Sequence, residues 1–299
     1  MKSRARPSLN FVEEGPRDGL SVLAIHGWSP DHRLMVGCCE PVFAAREGSY
    51  RRLYPDLPGM GQSEAVGVDS SDDVLQSVEA FIDEHIGSEP FLLLGESYGG
   101  YVARALAAHR AYQVRGMVLI CPMGSAVENA DRRVPEHQVL VSEIDLAPDA
   151  PFAEIAVVQT QETFDRTQRE VVAGLMCADA TALERIRTRW ALTRDPESGP
   201  PFDWPTVIVT GRQDSSTGYL DVWDLIEHYP RATFAVLDAA GHNAQIERPE
   251  AFNTLVHDWL DRVEHEITRR SCPRTALTGT RTPACNSGKV VRRQTDTQQ

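Results

Sequence analysis

Between residues 91 and 100 the chain passes from a short apolar run through Gly95-Glu96-Ser97-Tyr98-Gly99-Gly100 into a helical pattern. A serine with glycine two residues to either side, set between a strand and a helix, requires a very sharp turn with the serine backbone held in strain. Gly95 and Gly99 lack the Cβ atoms that would collide with neighbouring chain, and Gly100 extends the permissive stretch. Such an elbow places Ser97 at the carboxyl end of a strand and the N-terminus of a helix, where the dipole favours a developing negative charge. The surrounding fold must therefore supply strands that feed helices.

The rest of the chain has that character. Strand-like runs over residues 21–26, 51–57, 114–121, 206–210 and 232–237 alternate with helical spacing over 71–86, 101–109 and 249–263. This alternation predicts an α/β fold built on a mostly parallel, doubly wound sheet, with ligands at the carboxyl ends of the strands. From Met123 to Trp204 the strand signals stop and the pattern turns helical, bounded by Pro122 and by Pro200-Pro201. The expected organisation is a core of residues 1–122 and 205–267, an inserted helical cap of 123–204, and a tail of 268–299. The tail holds seven Lys/Arg against one acid and no aromatic residue, a composition that reads as disorder.

A serine hydroxyl is a weak nucleophile and needs a base. His242 follows the last expected strand in Asp238-Ala239-Ala240-Gly241-His242, on a loop able to reach the sheet edge near Ser97. The imidazole in turn needs an acid to fix its tautomer. Asp214, in Gly211-Arg212-Gln213-Asp214 just beyond a strand, is the expected acid, and Asp238 is its rival. A tetrahedral oxyanion requires donors. The backbone N–H of Tyr98 supplies one, and that of Trp28, in His26-Gly27-Trp28, the other. Gly27 lets that loop approach closely, and His26 is read as holding it.

HGW, DLPGMGQS (residues 56–63), GESYGG, GRQD and DAAGHNAQIERPEAF occur in that order between about residues 20 and 263. Together they resemble the successive signatures of the α/β-hydrolase family with a lid domain. The resemblance implies an eight-stranded, mostly parallel sheet, an acyl-enzyme mechanism and no cofactor. Asp56-x-Pro58-Gly59-x-Gly61-x-Ser63 is similar to a structural turn of the family. Glu96 departs from the family, standing where many esterases carry histidine, and is read as lying outside the triad. Ser215, Ser216 and Thr217 also depart, following the acid where apolar residues are commoner. Tyr98 stands where the aminopeptidase branch carries tryptophan. Ser97 argues against the dehalogenase and epoxide-hydrolase branches, whose nucleophile is a carboxylate.

Composition narrows the partners. The formal charge is −13, and because the tail is basic the body is more acidic still, which disfavours nucleic acid and anionic membranes. No apolar run approaches the roughly 18–20 residues that span a bilayer. The six cysteines show no CxxC or Cys/His spacing, so no disulfide framework and no metal site is expected. The basic N-terminus lacks the apolar segment of a secretory signal. A cytoplasmic setting, a small-molecule substrate and a monomer or homodimer are expected. Three functions fit: hydrolysis of a small hydrophobic carboxylic ester or a related acyl or carbon–carbon bond, a proline-type aminopeptidase, and a non-catalytic ligand-binding member of the fold. The first places Ile155, Val158, Phe164, Leu175, Met176 and Trp190 over Ser97. The second needs a cap acid among Glu154, Glu162, Glu170 and Glu184.

Overall fold

The strands alternate their side chains between two differently covered faces, and that period of two organises the whole molecule. The computed structural model describes residues 8–46, 49–146 and 151–271. Strands β1 (Phe11–Glu14) and β2 (Leu20–Ile25) lead to helix α1 (His32–Ala44), then β3 (Tyr50–Pro55) and α2 (Ser71–His85). Next come β4 (Phe91–Glu96), α3 (Ser97–His109) and β5 (Val114–Ile120). After the inserted segment follow β8 (Thr206–Gly211), α8 (Leu220–Trp223), β9 (Ala232–Leu237), α9 (Ala244–Glu247) and α10 (Pro249–Ser271).

The sheet order is β1-β3-β2-β4-β5-β8-β9, with β1 antiparallel and every other neighbour parallel. The resemblance implied eight strands; among the described residues the sheet has seven. Before β2 the described residues contribute the four-residue β1 and then turn at Gly15, whose φ is 80°. Leu23, Ile25, Leu93, Met117, Leu119 and Ile208 face α2 and α3 in one core. Val22, Ala24, Leu92, Leu94, Val118, Ile120, Val207 and Val209 face α1 and α10 in the other. Sheet residues buried on both faces are what parallel βα units require.

Helix α2 shows how local chemistry sets an element. The Ser70 side chain accepts from Asp73 N, Asp72 and Asp73 fill the positive first turn, and Val74, Leu75, Val78, Phe81 and Ile82 form the buried stripe. Helix α10 runs eight residues past its expected end at Val263, through Ser271, so residues 268–271 are helical and not part of a disordered tail. Glu266, nearly buried, pairs with Arg270, Arg269 and Arg231 at 2.5, 2.5 and 3.1 Å, which secures that last stretch. Residues 272–299 lie outside the described residues. No helix among the described residues is long and apolar enough to cross a membrane.

The inserted segment carries helices α4 (Pro151–Ile155), α5 (Gln161–Thr167), α6 (Ala173–Leu175) and α7 (Ala180–Arg187). A π-helical turn, Gln168–Val172, joins α5 to α6. Strand pairing does not stop here as expected: β6 (Val141–Ser142) and β7 (Val158–Gln159) form a small parallel pair. Leu175 and Met176, expected to cover Ser97, face solvent, Met176 at 82% exposure. Ala182, Leu183, Ile186, Trp190 and Leu192 instead join the core beside α2 and α3.

Strand order reverses between β2 and β4, where one connection leaves toward β3 and the other toward β5. This is the switch point at which open parallel sheets bind ligands. Ile25 pairs with Gly95 there, so the His26-Gly27-Trp28 loop leaves its strand directly beside Ser97.

Candidate active site

Ser97 has φ 51°, a left-handed conformation costly for a residue with a Cβ. The elbow is compatible with glycine alone at its flanks. A Cβ on Gly95 would lie 2.4 Å from the Gly99 carbonyl oxygen, and one on Gly99 would lie 2.3 Å from that of Ile25. The strain points the Ser97 hydroxyl away from the sheet: its Oγ lies 2.9 Å from His242 Nε2.

His242 Nδ1 lies 3.1 Å from Asp214 Oδ2. With Nδ1–H donating to the carboxylate, Nε2 is left to accept the Ser97 O–H. Asp214 is fully buried. Its Oδ1 accepts Ser216 N–H at 2.8 Å and Thr217 N–H at 3.1 Å, and the Thr217 hydroxyl lies 2.8 Å from Oδ2. Burial pushes the Asp214 carboxyl up, but the facing His242 and the Thr217 donors outweigh it and hold the group below its ordinary value. Ser216 and Thr217, both departures from the family pattern, thus satisfy the buried acid. Asp238 is exposed and accepts from Gln213 Nε2 at 3.0 Å.

His242 itself is pushed up to about 9. Burial lowers it, and the charges of Asp214 and Glu96 more than reverse that. Glu96 is a correction to the sequence reading, which left it outside the triad. Its Oε1 lies 3.5 Å from His242 Nε2. The approach depends on a neighbouring strand end, since a Cβ on Gly27 would stand 2.1 Å from Glu96 Oε2.

The loop after β2 is held from below. His26 is buried, accepts Leu57 N–H on Nε2 at 2.9 Å and has Nδ1 2.8 Å from the Gly27 carbonyl. Asp56 binds His32 N–H, the His32 ring, Gln62 N–H and the Asn10 amide, and the Ser63 hydroxyl closes the turn on Asp56 O at 2.7 Å. Those bonds engage the whole Asp56 carboxylate, which brings its oxygens near Asp31 and His32 as a group within metal-ligand distance. Cys121, Asp214 and His242 form a second such group, but burial and the nearby carboxylates hold the Cys121 thiol protonated.

In the inserted segment, Trp190 stacks on Tyr98 with ring centroids 4.6 Å apart and 19° between planes, and meets Trp28 edge-on at 4.6 Å. The Tyr98 hydroxyl donates to Ser71 Oγ at 2.9 Å, and Ser71 donates to Trp190 O at 2.6 Å. Both residues whose N–H groups were singled out, Trp28 and Tyr98, therefore contact the inserted segment through their rings. On the far side Glu247 Oε1 accepts Val157 and Val158 N–H at 2.6 and 2.9 Å, while Oε2 accepts Gly241 N–H at 2.6 Å. One buried carboxylate thus joins the inserted segment to the histidine loop. Arg132, also from that segment, donates to Ser216 O at 3.2 Å, and its charge opposes protonation of His242. Thr217, Glu247 and Arg132 were not assigned roles from sequence; only Thr217, three residues after the acid, lay close enough along the chain to be read as its donor.

Residues 22–255 match the alpha/beta hydrolase family. Among curated proteins, the chain is 23% identical over 260 residues to the monoacylglycerol lipase ABHD6 of Bos taurus, covering 80% of this chain and 75% of that protein. It is 24% identical over 267 residues to a 2-hydroxy-6-oxononadienedioate/2-hydroxy-6-oxononatrienedioate hydrolase of Paraburkholderia phymatum, covering 80% and 86%. Among solved structures, an alpha/beta superfamily hydrolase from Oenococcus oeni superposes with a TM-score of 0.79 at 28% identity, covering 87% of this chain and 98% of that one. The chain belongs to the alpha/beta hydrolase family.

Proposed function

We propose that the protein is a serine hydrolase that cleaves a small, hydrophobic carboxylic ester, or a related acyl or carbon–carbon bond, through an acyl-enzyme. The observation that carries this reading is the continuous relay from Ser97 Oγ to His242 Nε2 and from Nδ1 to Asp214, with Ser97 on a strained elbow. His242 takes the Ser97 proton as Oγ attacks the carbonyl carbon. Trp28 and Tyr98 N–H groups stabilise the oxyanion, and Asp214 stabilises the imidazolium. His242 then protonates the leaving group, and water repeats the sequence to release the acid.

The Trp28–Tyr98–Trp190 cluster supports an apolar substrate, with residues 123–204 acting as the cap that selects it. A lipase and an oxo-dienoate hydrolase among the relatives support the ester and carbon–carbon alternatives within one mechanism. The aminopeptidase reading needs a cap carboxylate free to meet an amine. Glu154, Glu162 and Glu184 are exposed, and Glu170 is paired with Arg166 at 2.9 Å.

The test is a panel of p-nitrophenyl esters of increasing acyl length, a vinylogous 1,5-diketone and a proline-aminoacyl chromophore. Turnover of the esters or the diketone is expected. Cleavage of the proline substrate alone would overturn the reading.

A further inference from the structure

Glu96 ends β4 immediately before Ser97, is 2% exposed, and makes no capping bond to α3. Its carboxylate meets His242 on Nε2, the nitrogen that also faces Ser97. The imidazole therefore lies between two buried carboxylates, Asp214 at Nδ1 and Glu96 at Nε2. The first suits the relay. The second stands where the relay needs a lone pair.

The charged and titratable surroundings of this pair are limited. His242 faces Asp214 and Glu96, with Arg132 the opposing cation. Glu96 faces His242 and, more weakly, Asp214. The Cys121 thiol at the end of β5 stays protonated, and Glu247 adds a further buried carboxylate behind Gly241.

We propose that Glu96 is a positioning residue whose charge, 3.5 Å from His242 Nε2, holds the imidazole protonated in the resting enzyme, so that Ser97 is activated only when this ion pair opens. The inference rests on the Ser97–His242–Asp214 relay proposed above. A carboxylate at this distance favours the imidazolium, and an imidazolium has no lone pair to take the Ser97 proton. A buried carboxylate without a partner is costly, so Glu96 either keeps a proton or draws one onto His242. Burial pushes Glu96 up to about 7, against the opposing pull of His242 and the Gly27 N–H. The pair opens in two ways, by loss of the Nε2 proton to solvent or by its transfer to Glu96 Oε1. The transfer conserves charge and leaves a neutral acid beside a neutral imidazole. It also removes a negative charge from beside the Gly27-Trp28 loop, where the oxyanion is to form.

The experiment compares wild type with Glu96→Gln, which keeps the shape and loses the charge. The His242 midpoint is read by NMR of the full chain labelled on histidine, assigned with His242→Gln. Labelling of Ser97 by a fluorophosphonate is followed across pH in parallel. In Glu96→Gln the His242 midpoint is expected to fall by about 1 pH unit or more. Labelling near pH 7 is expected to quicken about tenfold, as one unit of midpoint implies. Glu96→Leu is the second variant, with the same downward shift expected should the glutamine variant not fold. An unmoved midpoint in a folded variant overturns the proposal. A wild type that never labels at Ser97 refutes the relay instead, and the NMR midpoints still decide whether Glu96 holds the His242 proton.

Discussion

The Thr217 hydroxyl lies 2.8 Å from Asp214 Oδ2, the same oxygen that receives His242 Nδ1–H. The Cys121 carbonyl, just beyond β5, lies 3.0 Å from the same hydroxyl and competes for its single proton, with the carboxylate the nearer acceptor. A hydrogen bond to a charged group is worth about 1.5–3 kcal/mol. Thr217→Val, close in shape, is therefore expected to lower kcat/KM by about 10-fold or more, chiefly in kcat, while Thr217→Ser retains most activity. Steady-state kinetics on one ester distinguishes the two variants.

Asp214 and Asp238 were rivals in the sequence, and their surroundings differ sharply. Asp214 is buried with four donors around it, whereas Asp238 is exposed and bound to Gln213. Asp214→Asn is expected to reduce kcat by about 10⁴-fold, since the imidazole loses the partner that fixes its tautomer. Asp238→Asn is expected to leave kcat within about twofold, a surface change of the kind that rarely matters. The reverse pattern would reassign the acid.

Glu247 accepts three backbone N–H groups, two from the inserted segment and one from the residue before His242. Glu247→Ala orphans all three, and unpaired buried donors cost about 1–3 kcal/mol each. A loss of about 3 kcal/mol or more is expected, read as a lower urea midpoint with an unchanged slope. Glu247→Gln, which still offers one acceptor oxygen, should lose less.

Glu96 and His242 also set a stability profile. Glu96 is raised from 4.5 to about 7, so between those values the folded state holds a proton that the unfolded state has lost. His242, raised from 6.5 to about 9, does the same over the next interval. Both contributions are complete at lower pH and fade as pH rises. Asp214 acts in the opposite sense, its contribution lost only as pH falls below the usual carboxylate range. The urea midpoint is expected to decline as pH is raised from about 5 to about 9, and Glu96→Gln should flatten that decline. An equal slope in the variant would show that Glu96 does not hold its proton in the fold.

Where a function needs a local backbone feature, the sequence carried it openly. The elbow at Ser97, the Gly241-His242 pair and Asp214 after β8 are each defined by residues within a few positions of one another. The parallel order of the strands followed from alternating patterns. The Glu96–His242 contact spans almost half the chain and depends on Gly27 having no side chain, so no single stretch encodes it. Its trace was the strand register, which sets Gly95 beside Ile25 and hence Gly27 beside Ser97. Leu175 and Met176 misled for a related reason. Apolar residues at helical spacing mark a buried face, but a π turn at Gln168–Val172 precedes them, and they emerge into solvent.

The central claim is that Ser97 is a nucleophile activated by His242. The most direct measurement is mass-spectrometric mapping of a fluorophosphonate adduct on the wild-type protein and on Ser97→Ala and His242→Ala. One adduct on Ser97 is expected in the wild type, none in Ser97→Ala, and a rate lowered by about 10³-fold or more in His242→Ala. An unlabelled Ser97 in folded wild-type protein, or an adduct that forms equally fast without His242, would contradict the account.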